Sequence, residues 1–372
     1  MPHLFIKNPN KLEYPVKKDT VEFLFKVDDL VAVKIENKKF FISLQDRNDK
    51  YLLKYDKITR PLSSDLKKAY QTFLELSDAE ILASNIEGIK DKQPNKYLLT
   101  IEDNLNFNEI IVEIGFGSGR HLIHLAKKYP NITIIGIEIH KPSIEQVLKR
   151  CEIEGIENIR IIDYDGRLVL SKIASNRVHS IYVHFPVPWD KKPNRRVISE
   201  YFINESIRVL KKDGFLHLRT DSDNYFEYSF NQFMNLNKNE LKIYKNRDIE
   251  VSSKYEDRWK KMNKNIYDIY LYNNTISEDL KEDFDFEFGC LDVSKAKTKA
   301  YIFDDFVIHF ERIIPINKNE TLIKLTMGAF ERPEHLYIIA SKNSYYFNAP
   351  VKHKLNQKAH NKLKEILECQ KL

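Results

Sequence analysis

The sequence predicts an α/β core, an open and doubly wound parallel sheet, set between two β-rich extensions. Three observations carry this. Between residues 110 and 274, short runs rich in Ile and Val alternate with stretches of helical periodicity. The first of those runs, Ile110 to Ile114, leads straight into Gly115, Gly117 and Gly119 and then a helical pattern, which reads as strand, glycine turn and helix. On either side, the apolar runs are short, closely spaced and separated by charged turns, as in antiparallel sheet.

Residues 1–95 form the first extension. Runs at Val21–Val27, Leu30–Ile35, Lys39–Leu44 and Tyr51–Tyr55 read as strands, and Leu66, Ala69, Tyr70, Phe73 and Leu74 give a helical stripe from Ser63 to Leu76. The polar run Lys90 to Asn95 reads as a linker. In the core, residues 96–275, strands are expected at Ile110–Ile114, Ile132–Glu138, Ile159–Ile162, Ser180–His184, Gly214–Arg219 and Ile266–Tyr272. Helices are expected over 118–129, 142–154, 197–211 and 223–236. The last extension, residues 276–372, returns to strand-like runs at Lys299–Phe303, Val307–Arg312, Leu322–Thr326, Leu336–Ala340 and Tyr345–Phe347, then closes on a helix from Gln357 to Leu367. Its aromatic residues recur at alternate positions and read as one face of a sheet.

Bulk composition excludes several classes. At 42% hydrophobic and 31% charged residues the chain is an ordinary folding sequence, not a disordered one. Net charge +6 is mildly basic and compatible with a nucleic-acid partner. The sequence has neither a signal peptide nor a run near the roughly 18 apolar residues of a membrane span, so a cytoplasmic protein is expected. Cys151, Cys290 and Cys369 are odd in number and far apart, and are expected as free thiols in a reducing compartment.

In an open α/β sheet the ligand sits outside the carboxyl ends of the strands. The glycine turn offers bare backbone and free helix N–H groups there. Glu113, two residues before the first glycine, can accept hydrogen bonds from an ammonium group or hydroxyls but repels a pyrophosphate. The spacing is G-x-G-x-G rather than the dinucleotide pattern G-x-G-x-x-G, so S-adenosylmethionine is favoured over NAD. Glu138 ends the second strand about 20 residues further on, placed for two ribose hydroxyls. Asp165, after the third strand, is placed for an adenine amino group or, equally, to cap the helix that follows.

The fourth strand runs into His184-Phe185-Pro186-Val187-Pro188-Trp189-Asp190-Lys191-Lys192-Pro193-Asn194-Arg195-Arg196. Two prolines stiffen this loop, Trp189 can stack on a base, and Lys191, Lys192, Arg195 and Arg196 can hold phosphates, which together point to RNA. His121 and His124 share a helix face with no nearby acid and read as surface residues; His184 and His217 read as partly buried polar residues, and no metal is expected.

These residues resemble the tRNA (guanine-N7-)-methyltransferase family, bacterial enzymes that methylate guanosine at position 46 in the tRNA variable loop. The resemblance covers roughly residues 105–275. It rests on Glu113 to Gly119, on Gly136-Ile137-Glu138-Ile139-His140, on Phe185-Pro186-x-Pro188-Trp189-x-Lys191 with Arg195-Arg196, on Thr220-Asp221, and on Ser253-Lys254-Tyr255-Glu256-x-Arg258. It implies a Rossmann-like core of the class I S-adenosylmethionine-dependent methyltransferases. By the same resemblance Glu113, Gly115, Gly117, Gly119, Glu138 and Asp165 hold the cofactor, while Lys191, Asp221, Ser253, Tyr255 and Glu256 hold guanosine and tRNA. Where the family has an aspartate between the two prolines, this chain has Val187. Guanine N7 carries a free lone pair, so its methylation removes no proton and needs no general base. The demands are alignment and carboxylates near the moving positive charge, and Asp221 or Asp190 is expected to supply that charge. A catalytically degenerate tRNA-binding protein and a methyltransferase acting on another RNA or a small molecule are the competing expectations.

Overall fold

The computed structural model describes residues 3–85, 95–101, 103–238, 240–251, 256, 262, 264–279 and 284–369. The backbone divides into two compact units, Asn95–Glu282 and a second one made of Met1–Pro94 with Asp283–Leu372.

The first unit is built on an eight-stranded sheet. Its strands are β1 (Leu98–Leu99), β2 (Ile110–Ile114), β3 (Thr133–Ile137), β4 (Ile159–Ile162), β5 (Val178–His184), β6 (Leu210–Thr220), β7 (Glu240–Lys245) and β8 (Tyr267–Tyr272), in the order β7-β8-β6-β5-β2-β3-β4-β1. Pairings from β1 through to β6 are parallel, and β8 runs antiparallel to both β6 and β7. Parallel strands are covered on both faces, which is why β2, β3 and β4 are nearly continuous runs of Ile and Val. One face packs Val112, Ile114, Ile181, Val183, Leu216, Leu218 and Ile269 into one core. The other packs Ile111, Ile134 and Ile161 under helices α1 (Arg120–Lys128) and α2 (Lys141–Glu154).

Later helices begin where a hydroxyl can cap them. The Ser199 hydroxyl accepts from Phe202 N–H to open α4 (Glu200–Val209), and Ser222 accepts from Tyr225 N–H to open α5 (Asp223–Met234); the short α3 (Gly166–Val169) precedes both. Helix α4 stops two residues before its expected end, because the Asn273 amide gathers the carbonyls of Ile207 and Leu210 and the chain turns directly into β6.

In the second unit, seven strands between His3 and Ser84 form an antiparallel sheet covered by the Ser63–Ser77 helix through Leu66, Ala69, Tyr70 and Phe73. Five strands between Ala300 and Tyr346 form another, covered by the Lys354–Leu367 helix. Both sheets contribute to one apolar cluster, in which Phe41 stacks on Phe347 at 4.2 Å and touches Tyr337.

The expectation of three free thiols is corrected here. Cys290 and Cys369 form a disulfide, Cα atoms 5.7 Å apart, and Cys151 alone is free and buried. Their separation of 79 residues hides the pairing in the sequence; the closing helix returns the chain so that Leu291 and Glu368 form a β-bridge beside them. Among the described residues, no helix is long and apolar enough to cross a membrane.

Candidate active site

The glycine turn has the conformation its composition predicts. Gly115, Gly117 and Gly119 have φ of +72°, +51° and +69°, a region that side chains rarely enter. At Gly119, the N-cap of α1, a Cβ would lie 2.2 Å from Val147, so glycine is also required for helix packing. At Gly115 and Gly117 nothing lies within 4 Å of a Cβ position, leaving open space above bare backbone. Glu138 grips the turn from the next strand. Its Oε2 accepts from Gly117 N–H at 3.0 Å, and its Oε1 accepts from the amides of Ile139 and His140 at 2.8 and 3.0 Å. Asp165 caps α3 by accepting from Arg167 N–H at 3.0 Å and also holds the Arg167 guanidinium at 2.6 Å.

The proline loop leaves β5 at the neighbouring carboxyl end. Phe185 and Trp189 both take positive φ, +50° and +47°. Arg195 lies over the Trp189 ring at 5.2 Å, while Lys191 and Lys192 are exposed. Arg196 turns inward and is only 7% exposed. It donates to Pro188 O at 2.7 Å and to Asp190 at 3.3 Å, and lies 4.4 Å from the centre of the Tyr228 ring. Its guanidinium therefore braces the loop rather than facing outward with its basic neighbours. Val187 is 59% exposed. Asp221 accepts from Lys264 at 2.9 Å. Ser253 and Tyr255 lie outside the described residues; Glu256 is fully buried and accepts from Arg219 at 2.8 Å.

A polar layer that the sequence reading missed runs across the sheet face beneath α1. Strand register places Gly136, Glu113, Tyr182, His217 and Tyr270 in one row, with His184, Arg219 and Asp268 in the next. Glu113 is 3% exposed, and its Oε2 lies 3.2 Å from His121 Nδ1. His121 is thus not a surface residue, and both His121 and His124 have an acid beside them: the turn folds α1 back over the strand that carries Glu113, and His124 Nε2 lies 3.1 Å from Glu250 Oε2. The His121 ring lies 4.7 Å from that of His184. His184 Nε2 is 3.0 Å from His217 Nδ1, and His217 Nε2 is 2.7 Å from Asp268 Oδ1. Arg219 closes the chain with two 2.6 Å bonds to Asp268.

Electrostatics follow from burial. Burial and the neighbouring His217 hold His184 far below the usual histidine range, and burial also lowers His217 against the pull of Asp268. Burial opposes ionisation of Asp268, but the bonds from His217 and Arg219 outweigh it and leave its carboxyl below the usual range. Burial forces Tyr182 up to about 12. The signal in the sequence was alternation: β5, β6 and β8 place His184, His217, Arg219 and Asp268 on one face and apolar residues on the other.

Residues 108–269 match the family model described as "Putative methyltransferase". Three curated proteins named tRNA (guanine-N(7)-)-methyltransferase are similar along the whole chain. That of Campylobacter fetus subsp. fetus is 39% identical over 392 positions, covering 99% of both chains. Its counterpart in Wolinella succinogenes is 39% identical over 389 positions, covering 99% of this chain and 100% of its own. The Helicobacter pylori protein is 39% identical over 392 positions, covering 99% of this chain and 98% of its own. The likeness therefore runs through both β-rich extensions, well beyond residues 105–275, where the motifs lie. At this identity over nearly the full length of both partners, the chain belongs to the tRNA (guanine-N(7)-)-methyltransferase family.

Proposed function

We propose that this protein transfers the methyl group of S-adenosylmethionine to N7 of a guanine in tRNA, and that the target is position 46 of the variable loop. Relatedness along nearly the whole of both chains to enzymes of that name carries the assignment. The side chains fit the cofactor. Gly115 and Gly117 leave open space over bare backbone, and Glu138 already accepts from amides at the turn, where a bound nucleoside offers two ribose hydroxyls. Glu113 and Asp165 complete the set, the first as negative charge below the turn and the second at the carboxyl end of β4. When bound, the cofactor supplies an electrophilic methyl group on a sulfonium sulfur.

The protein's own task is then positional. N7 attacks with its lone pair, so no side chain has to remove a proton. Trp189 offers a stacking face for a base, and Lys191, Lys192 and Arg195 offer phosphate contacts, held in place by the inward brace of Arg196. Asp221 and Asp190 supply negative charge near the methyl path in place of the carboxylate that Val187 lacks. Ser253 and Tyr255 contribute to guanosine binding, whereas Glu256, fully buried and bonded to Arg219, supports the site without touching the base. Residues 96–275 carry this chemistry, and the extensions, 1–95 and 276–372, add grip on tRNA. The site of action is the cytoplasm.

The test is methyl transfer from labelled S-adenosylmethionine to unmodified tRNA, with 7-methylguanosine identified after digestion. Asp190→Ala combined with Asp221→Ala should lower the rate by about 100-fold or more, the usual scale for lost electrostatic groups. A double variant with the wild-type rate would remove both aspartates from the mechanism.

A further inference from the structure

Beneath the glycine turn lies a donor set in which Glu113 is shared with the cofactor site, while His121 and His184 have no part in the methyl transfer described above. Glu113, His121 and His184 each present one ligand atom, and these atoms all lie within 4.8 Å of one another. They come from three elements, β2, α1 and the end of β5. We propose that they bind a divalent transition metal of the nitrogen-preferring kind, such as Zn²⁺ or Co²⁺, and that the ion braces α1 against the strand that launches the proline loop.

Spacing, orientation and access each support this. Bonds of about 2.1 Å at tetrahedral angles place donor atoms about 3.4 Å apart. Glu113 Oε2 and His121 Nδ1 stand at 3.2 Å already, and no pair in the set is wider than 4.8 Å. Two histidines and one carboxylate form a three-ligand set of the kind that leaves a fourth position for water. Behind it stands the outer support that a ligating histidine ordinarily has. Asp268, held as a carboxylate by Arg219, accepts from His217 Nε2–H. His217 Nδ1 is then bare and accepts from His184 Nε2–H, so His184 Nδ1 keeps its lone pair. A cavity of about 350 Å³, lined by His121, Tyr182, His184, His217 and Tyr270, gives an ion a way in.

The experiment is titration of the chelator-stripped, full-length protein with Co²⁺, read by its visible absorption, and then displacement with Zn²⁺. One equivalent is expected. Affinity should fall by more than about 100-fold in His184→Gln and in His121→Gln, and by about 10–100-fold in His217→Gln. It should be unchanged in His309→Gln, which lies in the other unit. X-ray absorption of the Zn²⁺-loaded wild-type protein needs no variant and should show a nitrogen and oxygen shell with two imidazoles. A sulfur-containing or all-oxygen shell, stoichiometry far below one, or binding indifferent to both His184→Gln and His121→Gln would overturn the proposal. Neither cofactor nor RNA enters these measurements, so they stand or fall independently of the methyl-transfer assignment.

Discussion

Arg219 offers the sharpest energetic test of how the site is held together. Its guanidinium is fully buried and bonds both oxygens of Asp268 at 2.6 Å, Glu256 at 2.8 Å and the Arg247 carbonyl at 3.0 Å. Arg219→Met keeps most of the volume but takes the guanidinium away from two carboxylates that are themselves fully buried. Breaking a buried ion pair from one side costs about 3–5 kcal/mol. For a unit of 188 residues, from 95 to 282, that corresponds to a melting point lower by about 6–20 °C. Trp189 lies in this unit and the sequence of the other, 1–94 with 283–372, has no tryptophan, so tryptophan fluorescence during urea unfolding reports this unit selectively. The cost is attributed to uncompensated charge and not to lost packing. Arg219→Met combined with Asp268→Asn and Glu256→Gln should therefore recover half of the loss or more. A single variant within about 1 kcal/mol of wild type, or a triple variant no better than the single, would refute the reasoning.

Other consequences are equally concrete. Glu138→Ala removes a charged acceptor, and hydrogen bonds to charged groups contribute about 1.5–3 kcal/mol, so calorimetry should find S-adenosylmethionine bound about 10–150-fold more weakly; unchanged affinity would remove Glu138 from the cofactor site. Gly117→Ala should destabilise by about 1–2 kcal/mol from positive φ alone, and Gly119→Ala by clearly more because its Cβ meets Val147; the reverse order in denaturation would contradict the packing described. Burial, with Arg332 and Lys354 nearby, lowers His353 to about 3, and its Nδ1 accepts from Leu355 N–H and Arg332. The unfolded chain therefore takes the proton first, and this contribution to stability is complete above pH 6.5 and lost as pH falls towards 3. By pH 4.5 the loss is about 3 kcal/mol, and His353→Asn should narrow the gap in urea midpoint between pH 7 and pH 4.5, followed by circular dichroism. Thiol titration of the unreduced, denatured protein should find one free cysteine, not three.

What could be read from the sequence was local. Ile110–Ile114 and Ile159–Ile162 are strands over the expected residues because buried parallel strands need continuous apolar runs. The glycine turn was legible because three alternate glycines leave few conformations open to anything else. Strand β7 was not: Glu240 to Lys245 is an exposed edge that alternates weakly between charge and apolar residues. Features that depend on distant partners were equally hidden. Nothing near Cys290 announces Cys369, and the lines of His184, His217 and Asp268 emerge only when β5, β6 and β8 are laid side by side. Arg196 looked like its neighbours Lys191 and Arg195, and its inward turn follows from Tyr228 and the Pro188 carbonyl, supplied by other parts of the fold.

The central claim is tested most directly by mapping the methylated base. Full-length protein is incubated with S-adenosylmethionine and unmodified tRNA, followed by borohydride reduction and aniline cleavage, which cuts at N7-methylguanosine. Cleavage at position 46 of the variable loop, dependent on both enzyme and cofactor, is the predicted result. Intact tRNA, from a protein that nonetheless binds S-adenosylmethionine, would contradict it.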